Sequence, residues 1–346
     1  KPIIVRAYPG ERAILQVYFP YPGYPEPASA VLNLTQCSFT WFWNLEIKNR
    51  DITTRWKNSS GGAGLDGVYL VSPNNKFINN VIHDVLGNAM GVWRPAETTE
   101  VYGNVLFNTG HAAPDRGHGH TFYTQNETGT KYFIDNIAIN PFGYSLHAYG
   151  SSKAFLKNFY FEGNVFMNKT ALIGGGAPAE NVQFIKNFIY KAALQFGYSG
   201  SVVNTNFVVE ENYIAYSTMQ FWYFNPPLIV RKNKVFRHTG GETVRLGLYS
   251  TLNYQNYTFD ENTYYSNSTN PFCILVLDIE DRKLPGFGGG PYFAWSYDPK
   301  NPKPTWRSSE SPYGSMGFDP NGSYFTTYPT GTEIFIRPNK YEPGRA

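Results

Sequence analysis

Short apolar runs, two to four residues long and alternating with polar positions, recur along most of the chain. Each is followed by a turn, an asparagine and a second apolar pair. The occurrences are Lys76-Phe-Ile-Asn-Asn80-Val-Ile, Glu100-Val-Tyr-Gly-Asn104-Val-Leu, Tyr132-Phe-Ile-Asp-Asn136-Ile-Ala and Phe159-Tyr-Phe-Glu-Gly-Asn164-Val-Phe. Val182-Gln-Phe-Ile-Lys-Asn187-Phe-Ile, Phe207-Val-Val-Glu-Glu-Asn212-Tyr-Ile, Leu228-Ile-Val-Arg-Lys-Asn233-Lys-Val and Tyr257-Thr-Phe-Asp-Glu-Asn262-Thr-Tyr follow, and Phe42-Trp-Asn44-Leu-Glu-Ile opens the series. Runs this short, period-two and rich in Val, Ile, Phe and Tyr are strands and not helices.

From Asn44 to Asn262 the series covers 218 residues in eight intervals, about 27 residues each. A fixed period of this size marks a repeat architecture, here one coil of three short strands per repeat. Intervals range from 21 to 36 residues, which places insertions in loops. Asn tolerates the left-handed conformation of a tight corner, and its amide can bond the backbone of the next coil. Stacked asparagines then form a ladder that satisfies buried corner groups. The fold predicted is all-β, a right-handed parallel β-helix of roughly nine to ten rungs over residues 1–283. Residues 284–346, with Pro285-Gly-Phe-Gly-Gly-Gly-Pro291 and Asp298-Pro-Lys-Asn-Pro-Lys-Pro304, form an irregular tail packed on its outside. Glu333-Ile-Phe-Ile-Arg337 reads as the clear strand of that tail.

Composition narrows the function classes. Aromatic residues make up 17% of the chain and charged residues 16%, and the net charge is +3. No dense Lys/Arg run is present, so a nucleic-acid partner is not expected. No apolar run approaches the ~18 residues of a membrane span. Cys37 and Cys273 fit no zinc or redox spacing. In a solenoid with rungs ~4.8 Å apart they lie near opposite ends, too distant to bridge, so both are expected as free, buried thiols.

The Asn-turn repeat, the opening Pro2-Ile-Ile-Val-Arg-Ala-Tyr-Pro-Gly-Glu and the stretch from Gly117 to Gly150 resemble the right-handed parallel β-helix proteins of the pectin-lyase-like superfamily, over roughly residues 1–290. That resemblance implies an extracellular or cell-surface protein acting on polysaccharide.

A further strand precedes each Asn-turn. Gly67-Val-Tyr-Leu70, Gly91-Val-Trp-Arg94, Thr121-Phe-Tyr-Thr124 and Ser145-Leu-His-Ala148 align, so Tyr69, Trp93, Tyr123 and His147 face outward as a column. Tyr149, Gln125 and Trp222 extend the same face. Exposed aromatic rings suit the C–H faces of sugars, so the column reads as a groove for a chain-like glycan. Four of the six histidines, His111, His118, His120 and His147, fall beside it. β-Elimination of an acidic polysaccharide needs a base and a cation to neutralise the enolate. His120 or His147 could be the base, Tyr123 the acid, and Arg94 or Arg116 the carboxylate clamp. Asp115, His118 and His120 are an alternative divalent-metal set, through a His-x-His chelate; otherwise no cofactor is expected. A glycosidase needs paired carboxylates on the groove, and the nearest acids, Asp66 and Asp84, do not form one. Seven sequons, at Asn33, Asn58, Asn126, Asn168, Asn256, Asn267 and Asn321, permit glycosylation. The competing readings are a non-catalytic carbohydrate-binding protein and a structural or adhesive subunit that self-assembles through its solenoid ends.

Overall fold

The computed structural model describes residues 1–17, 30–49, 65–110, 118–198, 202–238, 243–248, 257–266, 272–276, 292–298, 301–305, 319 and 321–325. Over these residues the chain is a parallel β-helix with three sheets running along one axis. Sheet 1 begins with Ile3–Arg6, Thr40–Trp43 and Lys76–Ile78. Sheet 2 begins with Ala13–Val17, Leu45–Asn49 and Val81–His83 and holds 11 strands. Sheet 3 begins with Ala30–Leu34, Asp66–Leu70 and Met90–Val92. Each coil gives one strand to each sheet in turn. In the long strand Met219–Arg231 one coil's sheet 3 segment runs straight into the next coil's sheet 1 segment.

Along the middle coils alternate strand residues enter the interior, and successive coils stack like on like. Phe42 lies on Phe77 with ring centroids 5.0 Å apart, Phe133 on Phe161 at 5.0 Å, and Phe196 on Phe221 at 5.1 Å. Ile82, Leu106, Ala138, Phe166 and Ile189 line the inner side of sheet 2, all essentially without solvent contact. Offset ring stacking in a dry interior adds to area burial at each step.

The asparagine ladder sits at the corner between sheets 1 and 2. Asn80, Asn104, Asn136, Asn164, Asn187, Asn212, Asn233 and Asn262 are all fully buried. Each backbone N–H and each Nδ2–H donates to the Oδ1 of the next asparagine at 2.8–3.1 Å, as in Asn136 to Asn164 (3.0 and 2.9 Å). The second Nδ2–H returns to a sheet 1 carbonyl of the preceding coil, as from Asn164 to Phe133 at 2.7 Å. Asp319 closes the series by accepting from Asn262 Nδ2 at 2.8 Å.

Two details differ from the sequence reading. The left-handed residue is not the ladder asparagine but the one before it: Asn79, Asp135, Lys186, Glu211, Lys232 and Glu261 have φ between 53° and 56°, and Gly103 and Gly163 have φ of 66°. The corner needs one left-handed residue, its side chain outside, to swing the following residue inward. In the second coil Asn44 is that left-handed residue (φ 54°), and Leu45 holds the ladder place, giving its backbone N–H to Asn80 Oδ1 at 3.0 Å.

Cys37 is a free thiol, half-buried and not fully so; its Sγ donates to Thr40 Oγ1 at 3.1 Å. Cys273 lies in the strand Phe272–Val276, which closes the described part of sheet 3's parallel stack. Beyond residue 284 the described residues of the tail contribute three strands. Tyr292–Asp298 pairs antiparallel with Phe272–Val276 and with Asn301–Thr305, and Ser323–Phe325 adds a parallel strand to sheet 2. These segments lengthen the coil's end. The expected strand Glu333–Arg337 lies outside the described residues.

Replacing Asn164 by Leu strands the N–H and Nδ2–H of Asn136 and the carbonyl of Phe133. At roughly 1–3 kcal/mol per buried unsatisfied group, Asn164→Leu is expected to cost on the order of 3–5 kcal/mol in urea unfolding. Asn164→Asp, which keeps the acceptor, should cost less. Equal losses for the two variants would disprove the ladder's role.

Candidate functional site

The outward residues of sheet 3 form the site, in a register that corrects the alignment above. Tyr69 pairs with Gly91, not with Trp93; Gly91 pairs with Tyr123, and Tyr123 with His147. Trp93 stands two residues beyond Gly91, just past the strand. The missing side chain at Gly91 is what lets its indole fold back: a Cβ there would meet Trp93 Nε1 at 2.7 Å and Asp66 Oδ2 at 3.3 Å. The ring column is therefore kept by a different route. Tyr69 to Trp93 is 5.7 Å between centroids, Trp93 to Tyr123 4.9 Å, Tyr123 to His147 5.1 Å, His147 to Tyr149 5.2 Å and Tyr149 to Tyr198 6.5 Å. Tyr149 lies across Gly175 and Gly176, where a Cβ would come within 2.8 Å and 2.7 Å of its ring. The ribbon thus crosses five rung spacings, ~24 Å.

Tyr69, Trp93, Tyr123 and Tyr149 are half-buried and Tyr198 is exposed, so the ribbon meets solvent along one side. Further along, Gln195, Gln220 and Arg245 continue the outward column. Trp222 stands beside Gln220, its indole N–H donating to Gln220 Oε1 at 3.3 Å, with the Arg245 guanidinium 5.8 Å from its ring. Gln125 is buried, its Nε2 donating to the Tyr149 carbonyl at 3.2 Å.

The two imidazoles are held in one protonation pattern. The Tyr144 backbone N–H donates to His120 Nδ1 at 2.8 Å, which leaves the His120 proton on Nε2. That Nε2–H donates to His147 Nδ1 at 3.0 Å, so neutral His147 carries its proton on Nε2. Both rings are buried, His120 fully and His147 to 3% exposure, with His147 stacked between Tyr144 and Tyr123. A base needs a lone pair aimed at substrate, and here both lone pairs are spent inside the fold.

His120 is better understood as a corner residue. Asp66, Asn88, His120 and Tyr144 occupy equivalent places in four successive coils, two residues before the paired Val68, Met90, Phe122 and Leu146. Asp66 Oδ1 accepts the Asn88 N–H at 2.6 Å, Asn88 Oδ1 accepts the His120 N–H at 2.9 Å, and His120 Nδ1 accepts the Tyr144 N–H. This is a second ladder built from unlike side chains. Gly143 leaves room for the His120 ring, since a Cβ there would lie 2.5 Å from Nδ1.

The remaining expected residues separate. Arg94 turns away to Glu127, Nη1 to Oε2 at 3.2 Å. His118 is half-buried and acts on Asp66 through its charge. Arg116, Asp115 and His111 lie outside the described residues. No group of three His, Cys, Asp or Glu suited to a metal ion occurs among the described residues. Asn126 is fully buried, its Nδ2 donating to Gly129, Lys157 and Asn158 carbonyls, so it is no glycan acceptor in the folded chain. Asn33, Asn168 and Asn321 are exposed; Asn58, Asn256 and Asn267 lie outside the described residues.

One residue the sequence did not single out is Lys131. Its ammonium is fully buried and donates to the carbonyls of Val92 (3.1 Å), Trp93 (2.6 Å) and Gln125 (2.5 Å). Burial pushes its pKa well down and Glu97 offsets part of this, while three carbonyl acceptors call for three N–H donors, the charged form. The amine clamps the backbone from which Trp93 and Gln125 project. No alternation rule marks such a lysine, because it occupies an inward position where an apolar residue is expected.

No family model matches the chain, and neither does any curated protein or solved structure. The likeness to pectin-lyase-like proteins therefore rests on the sequence alone, on the Asn-turn repeat, the opening from Pro2 to Glu11 and the stretch from Gly117 to Gly150. No helix of the described residues is long and apolar enough to cross a membrane.

Asp66 offers a test of this geometry. Burial raises its carboxyl from 3.8 to about 7, against the bonds from Asn88 and the charge of His118. The folded state then holds a proton that the unfolded state releases from about pH 4 upward, so stability falls as pH rises from about 4 to about 7. The full span is on the order of 4 kcal/mol. Asp66→Asn should remove this share of the pH dependence in urea unfolding at pH 5 and pH 7.5. Parallel slopes for the variant and the parent would refute the assignment.

Proposed function

We propose that this chain binds an extended polysaccharide along the sheet 3 ribbon, outside the cytoplasm. The carrying observation is the run of touching rings from Tyr69 to Tyr198, in which Tyr69, Trp93, Tyr123, Tyr149 and Tyr198 reach solvent and His147 is buried among them. With rungs ~4.8 Å apart the ribbon is several sugar units long, so an extended chain can touch more than one of its rings. Aromatic side chains held by neighbours offer large contact area at little entropic cost, which suits a binding platform. The exposed sequons at Asn33, Asn168 and Asn321 are compatible with a secreted protein.

Binding is favoured over cleavage by the protonation pattern of His120 and His147 and by the pairing of Arg94 with Glu127. Among the described residues, no arginine stands beside the imidazoles to neutralise an enolate. The β-elimination expected from sequence would have to draw its clamp from Arg116.

Affinity electrophoresis through gels containing β-glucan, xylan, polygalacturonate or alginate tests the reading. Retardation is expected in at least one polymer, with Tyr123→Ala and Trp93→Ala each weakening binding about 10- to 30-fold. Tyr213→Ala, on the outer face of sheet 2, should change nothing. Lack of retardation in all four gels, or parental affinity in Tyr123→Ala, would end the proposal. Absorbance near 235 nm in the same polygalacturonate and alginate samples reports elimination directly.

A further inference from the structure

A separate open depression of ≈ 620 Å³ lies on sheet 1, at the end of the solenoid where the chain begins, lined by Phe39, Trp41, Asn74, Lys76, Thr98 and Glu100, with Lys1 at its rim. We propose that it is a second carbohydrate site, independent of the ribbon, taking one neutral hexopyranose ring.

The register explains how these residues meet. Trp41, Lys76 and Glu100 are consecutive outward positions of sheet 1 in three successive coils. Phe39, Asn74 and Thr98 stand two residues earlier in the same coils, at the corner, and all three are left-handed, with φ of 55°, 60° and 51°. Asn accepts that conformation readily; Phe does so less readily. Phe39 is also 61% exposed, so the coil gains little packing from it. That exposed ring, carried outward by the left-handed corner it shares with Asn74 and Thr98, lines the depression and offers its face to a ligand.

The polar wall defines the ligand. Lys76 Nζ donates to Glu100 Oε2 at 2.9 Å and lies 5.0 Å from the Trp41 ring centre, so its charge is answered on both sides. The Thr98 hydroxyl, which also reaches the Glu97 carbonyl at 2.7 Å, lies against the Asn74 side-chain amide, so a hydroxyl and an amide stand together on this wall. An aromatic face next to paired donors and acceptors of cancelling charge matches a pyranose ring, apolar on its C–H face and ringed by hydroxyls. Lys1 also lines the depression, and the case of an anionic ligand is built into the test.

The full chain, labelled with ¹⁵N, is titrated with methyl β-D-glucopyranoside into the tens of millimolar while the Trp41 indole N–H and Phe39 amide resonances are followed. Both are expected to shift and saturate. Phe39→Ser should weaken the Trp41 response at least ~10-fold, Phe39→Tyr should retain it, and Tyr123→Ala should leave it intact. An unmoved Trp41 signal, or an equal response in Phe39→Ser, overturns the proposal. A shift with sodium glucuronate but not with the glucoside overturns it too, in favour of an anion site. The Trp93 indole reports the ribbon in the same spectra, so failure of one site is told apart from failure of the other.

Discussion

A backbone N–H that turns inward at the corner of a coil meets neither a strand partner nor water, and leaving it bare costs roughly 1–3 kcal/mol. The solenoid is organised around supplying that acceptor. Along the corner between sheets 1 and 2 the supply is uniform, one buried asparagine per coil from Asn80 to Asn262. At the corner entering sheet 3 it is improvised, from a carboxyl (Asp66), an amide (Asn88) and an imidazole (His120). Once the corners are fixed, the alternation of the strands decides which rings enter the core and which line the outside.

The uniform ladder was legible because one residue type at one period is a visible signal. The improvised one was not, because Asp, Asn and His share an acceptor but no letter. His120 consequently drew attention as chemistry when its environment makes it a corner. The register error at Trp93 has a related cause. Gly67-Val-Tyr and Gly91-Val-Trp look alike as strings, yet the coil pairs Tyr69 with Gly91 and lets the indole come back over the glycine. Tyr69, Trp93, Tyr123, His147 and Tyr149 nonetheless touch in sequence, with Trp93 reaching the run from beyond its strand and His147 buried within it.

Lys131 shows a limit of a different kind. It sits at an inward position, and pattern reading assigns such positions to apolar side chains. Its ammonium replaces what an ordered water or a bound cation would otherwise do for the carbonyls of Val92, Trp93 and Gln125. A buried charge is tolerated only where every donor finds an acceptor, and three carbonyls converging from two coils meet that condition. The aromatic ribbon is thus underpinned from inside by an ionic contact that its surface does not reveal.

The asparagine column also has a direction. Every ladder asparagine hands its backbone hydrogen and one amide hydrogen to the later coil and returns the second amide hydrogen to the earlier one, while its Oδ1 receives from the earlier coil, so the series reads one way only. Leu45 can begin it because a starting member need offer nothing but its main chain, and Asp319 can end it because a carboxyl receives without passing anything on. Start and stop are thereby written in the hydrogen count of two side chains, and a coil inserted between them must carry an amide to keep the relay intact.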